Sequence, residues 1–174
     1  MDRGEAERVA GCSGARGAHF GDDHPGPAVI LYLDSSSLVK IYLEEAESDL
    51  VREWVGAAEA IATSRVAYPE TLSAFTRRRQ QGDLDSHAFD LLRESLDSDW
   101  TRFVLMPVKE RRAGALAVRH VLRGFDAIHL AAVSDLREVL TGDRVVFSSF
   151  DGRLLRAARA EGVAVLFPQD EDAR

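Results

Sequence analysis

VILYLDSSSLVKIYL, residues 29–43, decides how the rest of this chain is read. Five apolar or aromatic residues, Val29 to Leu33, run without a break into Asp34. A continuous run of this kind, with β-branched and aromatic members, marks a strand covered on both faces. Three serines follow, and Leu38, Ile41 and Tyr42 then carry the spacing of a helix. Asp34 therefore stands where a strand leaves its sheet. In an open α/β sheet ligands bind at the carboxyl ends of the strands, so a carboxylate there is either a helix cap or part of a site.

The same alternation continues outward. SDLVREWVGAA (48–58) places Leu50, Val51, Trp54 and Val55 on one helical face. EAIATS (59–64) predicts a second strand, and RVAYPETLSAFTRRRQQG a helix that ends at Gly82. DLDSHAFDLLRESLDSDW predicts another helix, through Phe89, Leu92 and Leu96, and FVLMPV (103–108) a third strand. Two helical patterns come next, ERRAGALAVRHVLRG stopped by Gly124 and FDAIHLAAVSDLREVLTG stopped by Gly142. RVVFSSF (144–150) is a fourth strand, DGRLLRAARAEG a helix with Gly162 as its stop, and VAVLF (163–167) a fifth strand. Strands alternating with helices predict an α/β fold, a parallel sheet of about five strands with helices on both faces.

The domain is expected to span residues 29–168. Residues 1–28, rich in Gly, Ala and charge and ending in Pro-Gly-Pro and alanine, read as a flexible extension or as the product of a start placed too early. Residues 169–174 read as a loose polar tail. With 174 residues, 45% of them hydrophobic and 29% charged, the chain has the length of one globular domain. No apolar run approaches the ~18 residues of a membrane span. The one cysteine, Cys12, excludes an intramolecular disulfide and favours a reducing compartment, so a cytoplasmic protein is expected. A formal net charge of −7 argues against indiscriminate binding of nucleic acid. It remains compatible with a chain that gathers carboxylates around divalent cations.

Acids recur where strands end. Asp34 follows VILYL and Asp151 follows VVFSSF; Glu70 lies early on the helix after IATS, and Asp126 opens the helix DAIHLAAV. In a parallel sheet all four share one edge. Four carboxylates gathered there repel one another unless hard cations with oxygen ligands, Mg²⁺ or Mn²⁺, lie between them. Such a centre polarises a phosphodiester and lowers the pKa of a bound water. Taken singly, Asp34 and Asp151 serve equally as N-caps, Asp126 as an N-terminal charge favoured by the helix dipole, and Glu70 as a solvated helix residue.

Four pieces carry a resemblance: YLDSSSLVKIYLEE, YPETLSAFTRR, LRGFDAIHLAA and FSSFDGRLLRAARAEGV. In order and spacing the chain from about Val29 to Phe167 resembles a PIN domain, most closely the VapC ribonuclease toxins of bacterial toxin–antitoxin pairs. The resemblance implies a three-layer α/β/α domain and a metal-dependent endoribonuclease leaving 5′-phosphate and 3′-hydroxyl ends. It carries the acidic, metal-holding cluster onto Asp34, Glu70, Asp126 and Asp151, with Mg²⁺ or Mn²⁺ as cofactor. Ser36 and Ser149 are secondary candidates, able to orient a water or bond an acid or simply to cap backbone groups. His129 is expected to pack and hydrogen-bond. The implied partners are RNA, a cognate VapB-like antitoxin and a second copy of the chain in a homodimer, with no membrane. Arg77, Arg78 and Arg79 are candidates for the RNA backbone, with Arg111, Arg112, Arg119 and Arg123 further along. A groove near Leu43, Val51, Trp54 and Leu72 is a candidate seat for an antitoxin helix, unless these residues are core.

Three alternatives stay open. One is a PIN-type nuclease of RNA processing outside a toxin pair, and another a non-catalytic RNA- or protein-binding PIN module. The last is a phosphatase with an aspartate nucleophile after its first strand, but such enzymes carry a second Asp two residues on, where this chain has Ser36.

Overall fold

The structure is a computed structural model that describes residues 29–140 and 144–167. The expectations for residues 1–28, for the tail and for Gly142 lie outside the described residues. Twelve elements follow in order: β1 (Ile30–Leu33), α1 (Ser35–Tyr42), α2 (Ser48–Ala57), β2 (Ala60–Ser64), α3 (Ala67–Gln81), α4 (Ser86–Trp100), β3 (Val104–Met106), α5 (Glu110–His120), α6 (Gly124–Val139), β4 (Val145–Ser148), α7 (Gly152–Ala160) and β5 (Ala164–Leu166). The strands form one parallel sheet in the order β3-β2-β1-β4-β5. The run that was read as buried on both faces is thus the central strand.

Alternation along β1 sorts the two faces. Tyr32 points to one side, where it packs with Ala62, Phe147 and the apolar faces of α5, α6 and α7. Leu31 and Leu33 point to the other, against Leu38, Val51 and Trp54 of α1 and α2. Beyond them Val39, Leu43, Phe75 and Leu96 join α1 to α3 and α4. Tyr32, Phe75 and Phe147 are fully buried. Removing a side chain of that size from a packed interior costs about 3–5 kcal/mol, so Tyr32 and Phe147 tie helices to the sheet and Phe75 ties α3 to its neighbouring helices.

Most boundaries match the sequence reading, with strands a residue or two shorter at their ends. Gly82 and Gly162 do end their helices in the left-handed region, at φ of 85° and 75°. Gly124 does not. The helix expected to run to it stops at His120, because Val121 itself takes the left-handed conformation (φ 54°) and its amide closes on the Ala117 carbonyl. Gly124 instead begins α6. A β-branched residue in this conformation is strained, and nothing in its side chain announces it.

Chain order creates a switch point. From β1 the chain builds outward through β2 and β3, then returns to place β4 on the other flank of β1. The carboxyl ends of β1 and β4 flank the crevice that this reversal leaves.

Candidate active site

Register sets the first contact. Leu33 pairs with Ser148, and the Asp34 amide donates to the Ser148 carbonyl at 3.2 Å. That leaves Asp34 and Ser149 side by side just beyond the sheet. The Ser149 hydroxyl donates to Asp34 Oδ2 at 2.6 Å, and Ser36 donates to Oδ1 at 2.7 Å. The Ser37 amide also donates to Oδ1, at 2.9 Å. Asp34 therefore caps α1 and faces the crevice at once, so the two readings of it are not exclusive. Ser36 also reaches back across the switch point, its Oγ accepting the Phe150 amide at 2.9 Å, while Ser149 Oγ accepts the nearby Asp151 amide at 3.0 Å. A nearly buried carboxylate held by this many donors keeps one orientation.

The other acids come from three helices. Asp151 caps α7, its Oδ1 accepting the Arg153 and Leu154 amides at 2.7 and 2.9 Å. Glu70 lies in the first turn of α3, where its Oε2 accepts the Ser35 hydroxyl and faces His129 Nε2 at 3.3 Å. Burial alone would push the Glu70 carboxyl up, but the bonds from His129 and Ser35 outweigh it and hold the group below its ordinary range. Asp126, in the first turn of α6, accepts no hydrogen bond among the described residues. Burial first, then repulsion from Asp151 and Asp34, push its carboxyl up.

All four acids line one crevice of about 840 Å³. Arg77 and Arg123 line it too, as does Lys40, a buried cation whose Nζ donates to the Ala46 carbonyl at 2.7 Å and lies 3.4 Å from Glu45. Arg77 donates only to Ser73 Oγ among the described contacts, and Arg123 forms no direct ion pair there but its charge pulls on Asp126. Four of the other candidate arginines are engaged elsewhere, whereas Arg111 does not line the crevice. Arg78 pairs with Glu45 and Asp83 at 2.8 and 2.9 Å, Arg79 covers the Phe89 ring, Arg112 pairs with Asp135 and Glu138, and Arg119 with Glu161. Leu43, Val51 and Trp54 are buried in the core and Leu72 packs against it, so they form no groove for a partner helix.

The donors suit a hard divalent cation. They are all carboxylate oxygens, and burial with repulsion from Asp151 and Asp34 outweighs the pull of Arg123 on Asp126. Among the described residues, no group of three or more His, Cys, Asp or Glu side chains is arranged to hold an ion as it stands. Sequence reasoning missed Ser35, Lys40 and Tyr32 as parts of this site. Of these only Ser35, between Asp34 and Ser36, carried a local signal.

The family model described as PIN domain matches residues 31–160. The chain is 34% identical over 145 residues to Ribonuclease VapC49 of Mycobacterium tuberculosis (strain ATCC 25618 / H37Rv), which covers 78% of this chain and 94% of that protein. Among solved structures, PAE2754 from Pyrobaculum aerophilum superposes with a TM-score of 0.56 at 17% identity, covering 79% of this chain and 83% of the other. A toxin–antitoxin complex from Klebsiella pneumoniae does so with a TM-score of 0.54 at 14% identity, covering 80% and 98%. At these identities the solved structures speak for the fold alone.

Proposed function

The chain belongs to the PIN domain family, and from that membership we propose that it is a metal-dependent endoribonuclease, the toxin of a toxin–antitoxin pair. One observation carries the reading: four carboxylates from four separate segments line a single crevice at the switch point of a parallel sheet. The name of the VapC49 relative supports ribonuclease as the chemistry.

Asp34, Glu70, Asp126 and Asp151 would hold Mg²⁺ or Mn²⁺. When bound, the cation would make a water nucleophilic at neutral pH and neutralise charge developing on the scissile phosphate. The chain's own residues do the rest. Ser36 and Ser149 fix the Asp34 carboxylate, and Ser35 and His129 fix that of Glu70. Arg77 and Arg123 face the crevice outside any direct ion pair among the described residues and so remain available for RNA phosphates. Ser36 occupies the position where an aspartate-nucleophile phosphatase needs its second acid, and its hydroxyl is spent on Asp34. A VapB-like antitoxin would inhibit by entering the same crevice, and a homodimer in the cytoplasm is the expected setting.

The test is cleavage of a mixed RNA pool with Mg²⁺ or Mn²⁺ by wild type, Asp34→Asn and Asp126→Asn, with Mn²⁺ binding followed by calorimetry. Metal-dependent cutting and Mn²⁺ binding, both lost in the two variants while they stay folded, are expected. Cutting that persists in both variants would remove the acids from the chemistry. Wild-type protein that neither binds Mn²⁺ nor cuts would leave a non-catalytic PIN module.

A further inference from the structure

His129 is 2% exposed, yet neither of its ring nitrogens lies against apolar groups alone. Nδ1 is 3.1 Å from the Tyr32 hydroxyl, while Nε2 is 3.2 Å from Ser35 Oγ and 3.3 Å from Glu70 Oε2. We propose that His129 is a positioning residue for the Glu70 carboxylate, locked by Tyr32 in the neutral tautomer that carries its proton on Nε2.

The direction of the proton follows from what each neighbour can do. Tyr32 is fully buried in the central strand. A phenol keeps its proton at neutral pH. A buried hydroxyl hydrogen needs an acceptor, and Nδ1 is the ring nitrogen within reach. With Nδ1 accepting, the ring proton sits on Nε2 and points at Ser35 and Glu70. Ser35 is already a donor to Glu70, so its oxygen is free to accept from Nε2–H. Every donor in the chain Tyr32–His129–Ser35–Glu70 then has an acceptor, and Glu70 Oε2 is fixed from the protein side. The reverse tautomer would aim the Nε2 lone pair at the carboxylate and set two hydrogens against each other at Tyr32. Geometry makes the arrangement stiff: Tyr32 packs against Phe147 with ring centroids 5.7 Å apart and meets the imidazole edge-on at 6.0 Å.

The part of this proposal that concerns metal rests on the reading of Glu70 as a metal-holding acid; the tautomer does not. The experiment separates the two. In the full-length, metal-free protein labelled with ¹⁵N, long-range proton–nitrogen correlation at neutral pH identifies which imidazole nitrogen is protonated. Wild type is expected to show Nε2–H alone, and Tyr32→Phe, which keeps the ring and removes only the hydroxyl, a mixture of tautomers. A proton on Nδ1 in wild type, or an unchanged spectrum in Tyr32→Phe, overturns the lock. Mn²⁺ calorimetry then reads the positioning. His129→Leu is expected to weaken affinity about 10–100-fold, the usual effect of losing an outer-sphere partner. His129→Gln, whose amide can return an N–H to the place of Nε2, should restore most of it. Equal affinity in wild type and a folded His129→Leu, checked by thermal melting, overturns the positioning role. A wild type that binds no Mn²⁺ sinks the metal reading instead, and the nitrogen spectrum still decides the tautomer.

Discussion

Asp34→Asn and Asp126→Asn should both abolish metal binding, yet move the stability of the metal-free protein in opposite directions. Asp34 accepts two hydroxyls and one amide at 2.6–2.9 Å. Asparagine keeps one acceptor for Ser36 and Ser37, but turns an NH₂ towards the Ser149 hydroxyl and leaves that hydrogen without an acceptor. Hydrogen bonds to a charged group are worth about 1.5–3 kcal/mol, so a net loss of about 1–3 kcal/mol is expected after some repulsion is relieved. Asp126 accepts no such bond, and burial with two like charges disfavours its ionised form. Neutralising it should add about 0.5–2 kcal/mol, the usual gain from correcting an unfavourable charge. Urea unfolding at pH 7 with a chelator measures both. Mn²⁺ at a hundredfold over its Kd should then stabilise wild type by about 2.7 kcal/mol and neither variant. If Asp126→Asn were less stable than wild type, or if both variants fell together, the picture of Asp126 as the unsatisfied member of the cluster would be wrong.

Two further expectations follow from the crevice wall. Burial raises the Glu45 carboxyl, but Arg78 and Lys40 outweigh it and hold the group below 4.5. Its folded pKa lies under the unfolded one, so its contribution is complete above the unfolded value and lost as pH falls through the folded one. Urea midpoints should fall on acidification below about pH 4.5, with a shallower slope in Glu45→Gln; an identical slope would refute the pairing. Arg77→Ala and Arg123→Ala should each weaken RNA binding and lower the salt slope by about one. Arg78→Ala should instead lower stability and leave that slope intact, as titrations at several salt concentrations would reveal.

What could be read from residues alone was whatever depends on local pattern. The run from Val29 to Leu33 spelled out a doubly covered strand, and the acids just past β1 and β4, Asp34 and Asp151, were visible because strand ends are. Gly82 and Gly162 were legible stops. The α5 stop was not, since a valine took the conformation that favours glycine and the real glycine began the next helix. Tyr32, Ser35 and Lys40 escaped notice for a different reason. Their partners are set by register and by helix packing across the sheet, and Tyr32 looks from its neighbours like one more apolar strand residue. The arginines divide in the same way: sequence puts Arg77 and Arg78 side by side, but only the fold gives Arg78 two acids and leaves Arg77 facing the crevice.

The bond from Ser149 to Asp34 spans 115 positions of chain, and that from Ser35 to His129 spans 94. On a nascent chain, then, Asp34, Glu70 and Asp126 all emerge from the ribosome well before Asp151, and the crevice cannot close until β4 has slotted in beside β1. If the proposed RNA cleavage holds, a site stitched together only when β4 joins β1 keeps the chain inactive towards nearby RNA for most of its own synthesis.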